Sequence, residues 1–242
     1  MNIIIDIGNT NIKLGFFKNN ILIKKLIINL AIKNYLKNLS VNQKEIEIVF
    51  ICGVNTKVIE ELKIFFKNYD CKLIFWADVN KNIIESEYIK FKTLGFDRLA
   101  NAVAAINFFA NFKNHLVIDL GTCITYDIII DKVYKGGQIS PGLGLRFKSL
   151  DFLIKKSLDF KNLEPKLLGK STDDCVQSGV YYGILGEINN RINYYNSNLK
   201  DLNVILTGGD SIYFKKLVKN VIFDQNLLLK GLNLLLNKNE EN

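Results

Sequence analysis

Three short turns in this chain place glycine beside oxygen-bearing side chains directly after an apolar run. Asp6-Ile7-Gly8-Asn9-Thr10-Asn11 follows Ile3-Ile4-Ile5, Asp119-Leu120-Gly121-Thr122 follows Leu116-Val117-Ile118, and Thr207-Gly208-Gly209-Asp210 closes Asn203-Val204-Ile205-Leu206. Without a Cβ, the backbone can approach a phosphate closely and aim turn N–H groups at its oxygens. Threonine hydroxyls add donors, and Asp6 and Asp119 can hold a magnesium ion that bridges phosphates. Any one of these stretches, taken alone, reads better as an ordinary strand–glycine–Asx turn. A fourth constellation, Gly95-Phe96-Asp97-Arg98, enters a helical pattern and puts a carboxylate and a guanidinium beside flexible backbone. Alone it could be an N-terminal Asp cap with an exposed, salt-bridging Arg.

The residue inventory excludes other chemistries. His115 is the only histidine, so a Ser-His-Asp triad would have to use it. It precedes an apolar run and reads as a strand-edge residue rather than a base. Cys52, Cys71, Cys123 and Cys175 form no C-x-x-C pair and have no histidine at zinc spacing, so they are expected as reduced thiols. There is no G-x-x-x-x-G-K-[ST] phosphate loop. No run approaches the apolar length of a membrane span, and Asp6 interrupts the N-terminal run too early for a signal peptide, so a cytoplasmic protein without a membrane partner is expected. The net charge of +8 suits anionic ligands. It follows equally from the Asn-, Ile- and Lys-rich composition of an AT-rich coding sequence, and the basic residues are dispersed without a nucleic-acid module, so no nucleic-acid partner is expected.

The elements that must position these residues alternate between strand-like and helix-like patterns. Ile3–Asp6 and Ile12–Phe17 flank the first turn as a hairpin. Leu116–Asp119 and Ile124–Ile128 flank the second. The two turn sequences align with a single-residue gap, which predicts an internal duplication whose second half starts near Asn114. Strands are further expected over Glu47–Val54, Lys72–Trp76 and Asn203–Leu206, and helices over Lys57–Tyr69, Arg98–Phe109, Cys175–Tyr195 and Leu227–Leu236. Strands alternating with helices give an α/β fold, and the hairpins argue against a purely parallel sheet.

The three turns together are similar to the phosphate-1, phosphate-2 and adenosine motifs of the acetate kinase, sugar kinase, Hsp70 and actin superfamily. With Gly95-Phe96-Asp97-Arg98, Thr125, Asp127, Gly136-Gly137-Gln138-Ile139-Ser140-Pro141-Gly142, Thr172 and Gln177-Ser178-Gly179 in order, nearly the whole chain resembles the type III pantothenate kinase family. The resemblance implies a duplicated ribonuclease H-like (actin-like ATPase) fold with two similar halves around a nucleotide cleft. Residues 1–113 would carry the phosphate-1 turn and the Gly-x-Asp-Arg motif; residues 114–242 would carry the phosphate-2 and adenosine turns.

It further implies phosphorylation of pantothenate by ATP, the first step towards coenzyme A. By the same resemblance Asp6, Ile7, Gly8, Asn9, Thr10, Asn11, Ile12, Lys13 and Thr122 would bind ATP, with Asp6 on its magnesium, directly or through water. Asp97 would be the general base, and Tyr88, Gly95, Phe96, Asp97 and Arg98 would line the pantothenate site. Asp119 matches the ligand of a monovalent cation, potassium or ammonium. Thr172 matches a threonine contributed by the partner subunit of a homodimer. A carboxylate beside a guanidinium is a weak base, so Asp97 would orient the hydroxyl and take its proton late. Arg98 suits the carboxylate of pantothenate. Lys13, on a strand after the phosphate turn, could face ATP or solvent. The family pattern is broken at Phe91, where proline is usual, and at Cys52-Gly53-Val54, which replaces Ser-Ser-Val. Another small-metabolite kinase of the superfamily, or a nucleotide-dependent regulator, would show the same phosphate turns.

Overall fold

The computed structural model describes residues 1–29, 43–151 and 165–240. The chain folds as two compact units. The first comprises Met1–Ile84, Lys90–Ala104 and Leu227–Asn242, and the second Glu85–Ile89 and Ala105–Asn226.

The first unit is built on a five-stranded mixed sheet of β1 (Asn2–Ile7), β2 (Asn11–Lys18), β3 (Ile21–Asn29), β4 (Ile48–Gly53) and β5 (Lys72–Phe75), in the order β3-β2-β1-β4-β5. The Ile3-Ile4-Ile5 run suits the centre of this sheet because β-branched side chains pack well on both pleated faces. β1 pairs antiparallel with β2 and parallel with β4. Helix α1 (Thr56–Phe66) covers one face. Asn55 caps it by accepting the Val58 N–H at 3.3 Å, and Val58, Leu62 and Phe66 form its buried stripe. They pack with Ile3, Ile5 and Ile7 of β1 and Ile12, Leu14 and Phe16 of β2. Helix α2 (Phe96–Phe108) begins in this unit, and the C-terminal helix α6 (Leu227–Glu240) returns to it, packing on β1 and β2.

The second unit repeats the plan. Its sheet contains β6 (Asn114–Leu120), β7 (Cys123–Ile130), β8 (Val133–Pro141), β9 (Leu202–Thr207) and β10 (Ile222–Phe223), ordered β8-β7-β6-β9-β10. Strand for strand this is the order of the first sheet. Smaller features repeat as well. A register irregularity lies between Phe16 and Phe17 and again between Ile128 and Ile129. The next hairpin turn is Asn19-Asn20 in one half and Asp131-Lys132 in the other, each pair with φ of 49–50° and 66°. Two successive positive φ angles give a two-residue loop whose twist matches that of its strands. The predicted duplication is therefore a structural one. The short helices α3 (Leu143–Ser149) and α5 (Ser211–Phe214) accompany the long α4 (Thr172–Asn198). Ser171 caps α4 on the Asp174 N–H at 3.2 Å, Asp173 and Asp174 complement its N-terminal dipole, and Val180, Ile184, Ile188 and Ile192 make the stripe that packs over Leu116, Ile118 and Leu120.

One residue lies elsewhere than the sequence indicates. His115 is within β6, not at an edge: it is flanked by Ile129 of β7 and Asn203 of β9 and has no exposed surface. Three strands, β3, β8 and the two-residue β10, go beyond those the sequence pattern predicts. Of these, β8 is interrupted by Gly136-Gly137-Gln138, which mask its periodicity.

Candidate active site

In the first unit the antiparallel register sets Asp6, near the end of β1, opposite Lys13. The Lys13 ammonium donates to Asp6 Oδ2 at 3.2 Å, so the lysine forms an ion pair across the hairpin. Gly8 N–H donates to the Asn11 carbonyl at 3.1 Å and closes the turn, leaving Asn9 and Thr10 exposed at its tip. Asp6 itself is only 2% exposed. Burial raises its carboxyl above the ordinary carboxylate range; Lys13 pulls it back by charge and hydrogen bond, and the Asp97 carboxylate pushes it up again. Two motifs far apart in sequence therefore share one electrostatic field. Cys52, cross-strand from Asp6 on β4, is buried, and burial followed by the Asp6 charge holds its thiol well above its usual range.

Asp97 lies in the first turn of α2, where Leu99 N–H donates to Gly95 O at 3.1 Å. Its Oδ1 accepts the Arg98 N–H at 2.9 Å and folds back over Gly95 so closely that a Cβ there would lie 2.5 Å from it. Glycine at 95 is thus the space in which the carboxylate sits. Phe96 rests against Trp76, ring centroids 5.9 Å apart, and Arg98 is buried. Asp6, Lys13, Gly95, Phe96, Asp97 and Arg98 all belong to this unit.

The second unit carries the other turns. Asp119 pairs with Thr125 across β6 and β7 and with Thr207 across β6 and β9. Gly121 N–H donates to the Cys123 carbonyl at 3.0 Å, and Thr122 is exposed beside it. Gly208 adopts a φ of +92°, and a Cβ there would come within 2.5 Å of Leu120 N and nearer still to Leu120 O and the Asp119 carboxylate. This close crossing brings Asp210 beside Asp119; its N–H donates to Leu120 O at 2.9 Å. Burial and then the Asp119 charge push the Asp210 carboxyl up to about 6. The sequence pattern gives Asp210 no role of its own beyond closing the Thr207-Gly208-Gly209 turn.

Thr172 is the exposed first residue of α4. Tyr88 belongs to the second unit, on the Glu85–Ile89 segment, whereas Gly95 to Arg98 belong to the first. A further group has no sequence signal. The Arg146 guanidinium pairs with Glu187 of α4 and donates to the Pro141 carbonyl at 2.8 Å, while Ser140 donates to Glu187 at 2.6 Å. Burial alone would raise the Glu187 carboxyl, but the bonds from Ser140, Arg146 and Tyr126 outweigh it and hold it low. The network fixes the Ser140–Gly142 end of β8 to α4.

Among the described residues no three His, Cys, Asp or Glu side chains gather as metal ligands. The carboxylates stand in pairs, Asp6 with Asp97 and Asp119 with Asp210. That suits magnesium, which is typically held by one or two carboxylates plus substrate phosphates and water. A buried Asp6 with an acidic neighbour also has the negative field that such an ion offsets. Among the described residues no helix is long and apolar enough to cross a membrane.

Comparison with known proteins agrees with this arrangement. The family described as type III pantothenate kinase matches residues 2–194. A type III pantothenate kinase of Christiangramia forsetii is 40% identical over 245 residues, covering 99% of each chain. One from Cytophaga hutchinsonii is 38% identical over 248 residues, covering 99% of this chain and all of its own, and one from Pelagibacter ubique is 33% identical over 246 residues, covering 96% and 97%. Among solved structures, a Campylobacter jejuni protein described as a Baf family transcriptional activator superposes with a TM-score of 0.65 at 24% identity, covering 99% of this chain and all of that one. An archaeal actin homologue superposes at 0.54 with 9% identity, covering 98% and 99%. At these identities the structural likenesses speak for the fold, which is the duplicated actin-like α/β fold.

Proposed function

The chain belongs to the type III pantothenate kinase family, and on that premise we propose how its residues carry out the phosphoryl transfer. The reaction is ATP-dependent phosphorylation of pantothenate to 4′-phosphopantothenate, the first step of coenzyme A synthesis. The observation that supports it most directly is that Asp6, Lys13, Gly95, Asp97 and Arg98 lie in one compact unit, with the Asp97 charge felt at the Asp6 carboxyl.

Phosphoryl transfer has little covalent chemistry for a protein to perform, so positioning and charge neutralisation dominate. The turn Gly8-Asn9-Thr10-Asn11, framed by Ile7 and Ile12, presents backbone N–H groups to the ATP phosphates, and Lys13 supplies positive charge beside them. Thr122 takes a second part of the nucleotide. Asp6 holds magnesium, directly or through water; when bound, that ion neutralises charge on the phosphate oxygens. Asp97 accepts a hydrogen bond from the primary hydroxyl of pantothenate, aims its oxygen at phosphorus and receives the proton as the new bond forms. Arg98 pairs with the pantothenate carboxylate, where a guanidinium fork meets two oxygens. Gly95 and Phe96 shape that pocket and Tyr88 walls it. Asp119 holds potassium or ammonium, and Thr172 reaches the pantothenate of a partner subunit in a homodimer. As repeats of the sequence the halves run over 1–113 and 114–242, whereas the compact units differ from these bounds at Glu85–Ile89, Ala105–Lys113 and Leu227–Asn242; the enzyme works in the cytoplasm.

Coupled measurement of ADP release with pantothenate, magnesium and potassium tests this reading. The wild-type chain turns over only when pantothenate is present. Asp97→Asn retains ATP binding and loses about 10²- to 10⁴-fold in kcat, as expected for a displaced general base. A folded Asp97→Asn enzyme with near wild-type turnover removes Asp97 from that role.

A further inference from the structure

The Tyr88 ring is held by a buried hydrogen-bonded chain that no part of the proposed reaction uses. The Glu85–Ile89 segment is zipped onto β8 at Tyr134: Tyr134 N–H donates to Glu85 O at 2.9 Å and Glu87 N–H donates to Tyr134 O at 3.0 Å. Tyr88 N–H donates to Ser86 Oγ at 3.0 Å, and its ring meets the Tyr134 ring edge-on, centroids 6.0 Å apart. Tyr134 has no exposed surface, and its hydroxyl donates to Asp127 Oδ1 at 2.7 Å. Asp127, also without exposed surface, accepts on its other oxygen from Thr125 Oγ1 at 3.2 Å. With both oxygens engaged in the interior, the carboxyl is pinned in one orientation and the Tyr134 ring with it.

We propose that Asp127, acting through Tyr134, is a positioning residue that fixes the Tyr88 wall of the pantothenate site. The proposal rests on the assignment of Tyr88 to that site. A buried carboxyl bridging two hydroxyls is an expensive way to support a strand. A phenylalanine at 134 and an apolar residue at 127 would fill the same space without desolvating a carboxyl. What the polar pair adds is direction: the bond from the Tyr134 hydroxyl to Asp127 sets the orientation of the ring edge presented to Tyr88. Pre-ordering a binding wall lowers the cost of ordering it when substrate arrives. The consequence falls mainly on one substrate, since only Thr125, at the end of the chain far from Tyr88, adjoins a phosphate turn.

Tyr134→Phe deletes the hydroxyl and keeps the ring. The expected result is a pantothenate KM raised about tenfold, the size associated with losing one hydrogen bond to a carboxyl group. The ATP KM and the kcat at saturating pantothenate change less than about twofold. Amide exchange of the 85–89 peptide, which reads the wall without reference to turnover, becomes faster. Asp127→Asn is the second variant: the amide keeps one acceptor oxygen and turns the other position into a donor, so one hydroxyl must reverse from donating to accepting, the network loosens, and the same pattern is expected in smaller size. Tyr88→Ala separates this proposal from the one beneath it. If Tyr88→Ala raises the pantothenate KM while folded Tyr134→Phe and Asp127→Asn leave both that KM and 85–89 exchange unchanged, the positioning role is refuted. Equal rises in both KM values overturn it too, since they mark a merely structural contribution. If Tyr88→Ala also has no effect, Tyr88 is not a wall of the site and both readings fall.

Discussion

Gly95→Ala separates the position of Asp97 from the stability of the fold. The new Cβ would lie 2.5 Å from Asp97 Oδ1, whereas ordinary van der Waals contact begins at 3.4 Å, so the carboxylate oxygen must retreat by about 0.9 Å. What it meets is the end of a rotatable side chain, and position 95 has no left-handed φ, so the backbone need not move. Alanine gains about 0.4–1 kcal/mol by restricting the unfolded chain, against about 1 kcal/mol if the Arg98 N–H bond to Oδ1 is lost. Folding stability should therefore stay within about 1 kcal/mol of wild type. Catalysis should not: a misplacement near 1 Å at the reacting centre costs about 10²-fold, or roughly 2.7 kcal/mol of barrier. The assay is kcat at saturating ATP and pantothenate, paired with thermal unfolding. Gly208→Ala is the contrasting control, because its Cβ would meet Leu120 backbone at a φ of +92°. There stability itself should fall, by about 3 kcal/mol or more. A Gly95→Ala enzyme that keeps kcat within about threefold, or that loses kcat and stability together as Gly208→Ala does, refutes the reasoning.

The other predictions concern the second unit. Replacing potassium by sodium should lower turnover, and Asp119→Asn should lower it and blunt the response to potassium; indifference of the wild-type enzyme to the exchange would remove Asp119 from the cation site. Mixing Asp97→Asn with a Thr172 variant unable to bind pantothenate should restore activity in heterodimers verified by a tag on each chain, and verified heterodimers as inactive as their parents would place Thr172 outside a shared site. His115 gives an acid limb to stability: burial lowers its folded pKa from 6.5 to about 4, so the unfolded chain binds the extra proton first and stability falls as pH drops from 6.5 towards 4, by up to about 3 kcal/mol. Urea unfolding across that window should show the slope, His115→Asn should flatten it, and an unchanged slope in the variant would assign it to other groups.

The parts of this fold that are legible in the sequence are those set by short-range patterning. Ile3-Ile4-Ile5 and Leu116-Val117-Ile118, each ending in an aspartate and a glycine turn, could only be strands leaving a core for a polar loop, and both are. Lys57–Tyr69 shows its apolar spacing at Val58, Leu62, Phe65 and Phe66, and the helix follows it as far as Phe66 with Phe65 only partly buried. β8 is hidden because its Gly-Gly-Gln centre lacks periodicity and is held by pairing to β7, a tertiary cause. The edge reading of His115 fails for a related reason: polarity suggests exposure, but Asn203 Nδ2 lies 3.2 Å from its Nδ1 and makes a neutral imidazole acceptable inside the sheet. At the site the residue types are visible in the sequence and their neighbours are not. Neither the approach of Asp97 to Asp6 nor the Arg146–Glu187 anchor leaves a trace in spacing, since each joins elements distant in sequence.

The duplication also shows where the two halves have parted chemically. Asp6 and Asp119 occupy the same place on equivalent strands, one residue before the strand end. The residue opposite Asp6 is Lys13; the residue opposite Asp119 is Thr125. In the first half a lysine thus offsets part of the carboxylate charge within hydrogen-bonding distance. In the second half the cross-strand residue is a threonine, whose hydroxyl donates to Asp127, and the Gly208 crossing brings up a second carboxylate, Asp210, whose pKa is raised by burial and then by the Asp119 charge. Like charges at close range in a partly buried site are unfavourable unless a cation accompanies them. The first turn thus carries a cationic side chain at its cross-strand position, where its copy carries a neutral threonine and a second carboxylate nearby. That difference in charge is one support for the proposed monovalent ion beside Asp119. It also gives the potassium experiment a sharper form. Thr125→Lys would place opposite Asp119 the residue type found opposite Asp6, at the cost of the Thr125–Asp127 bond, and turnover in that variant, however reduced, should depend less on potassium than in wild type. An unaltered potassium dependence in a folded Thr125→Lys enzyme would refute the cross-strand charge difference as the reason for the ion.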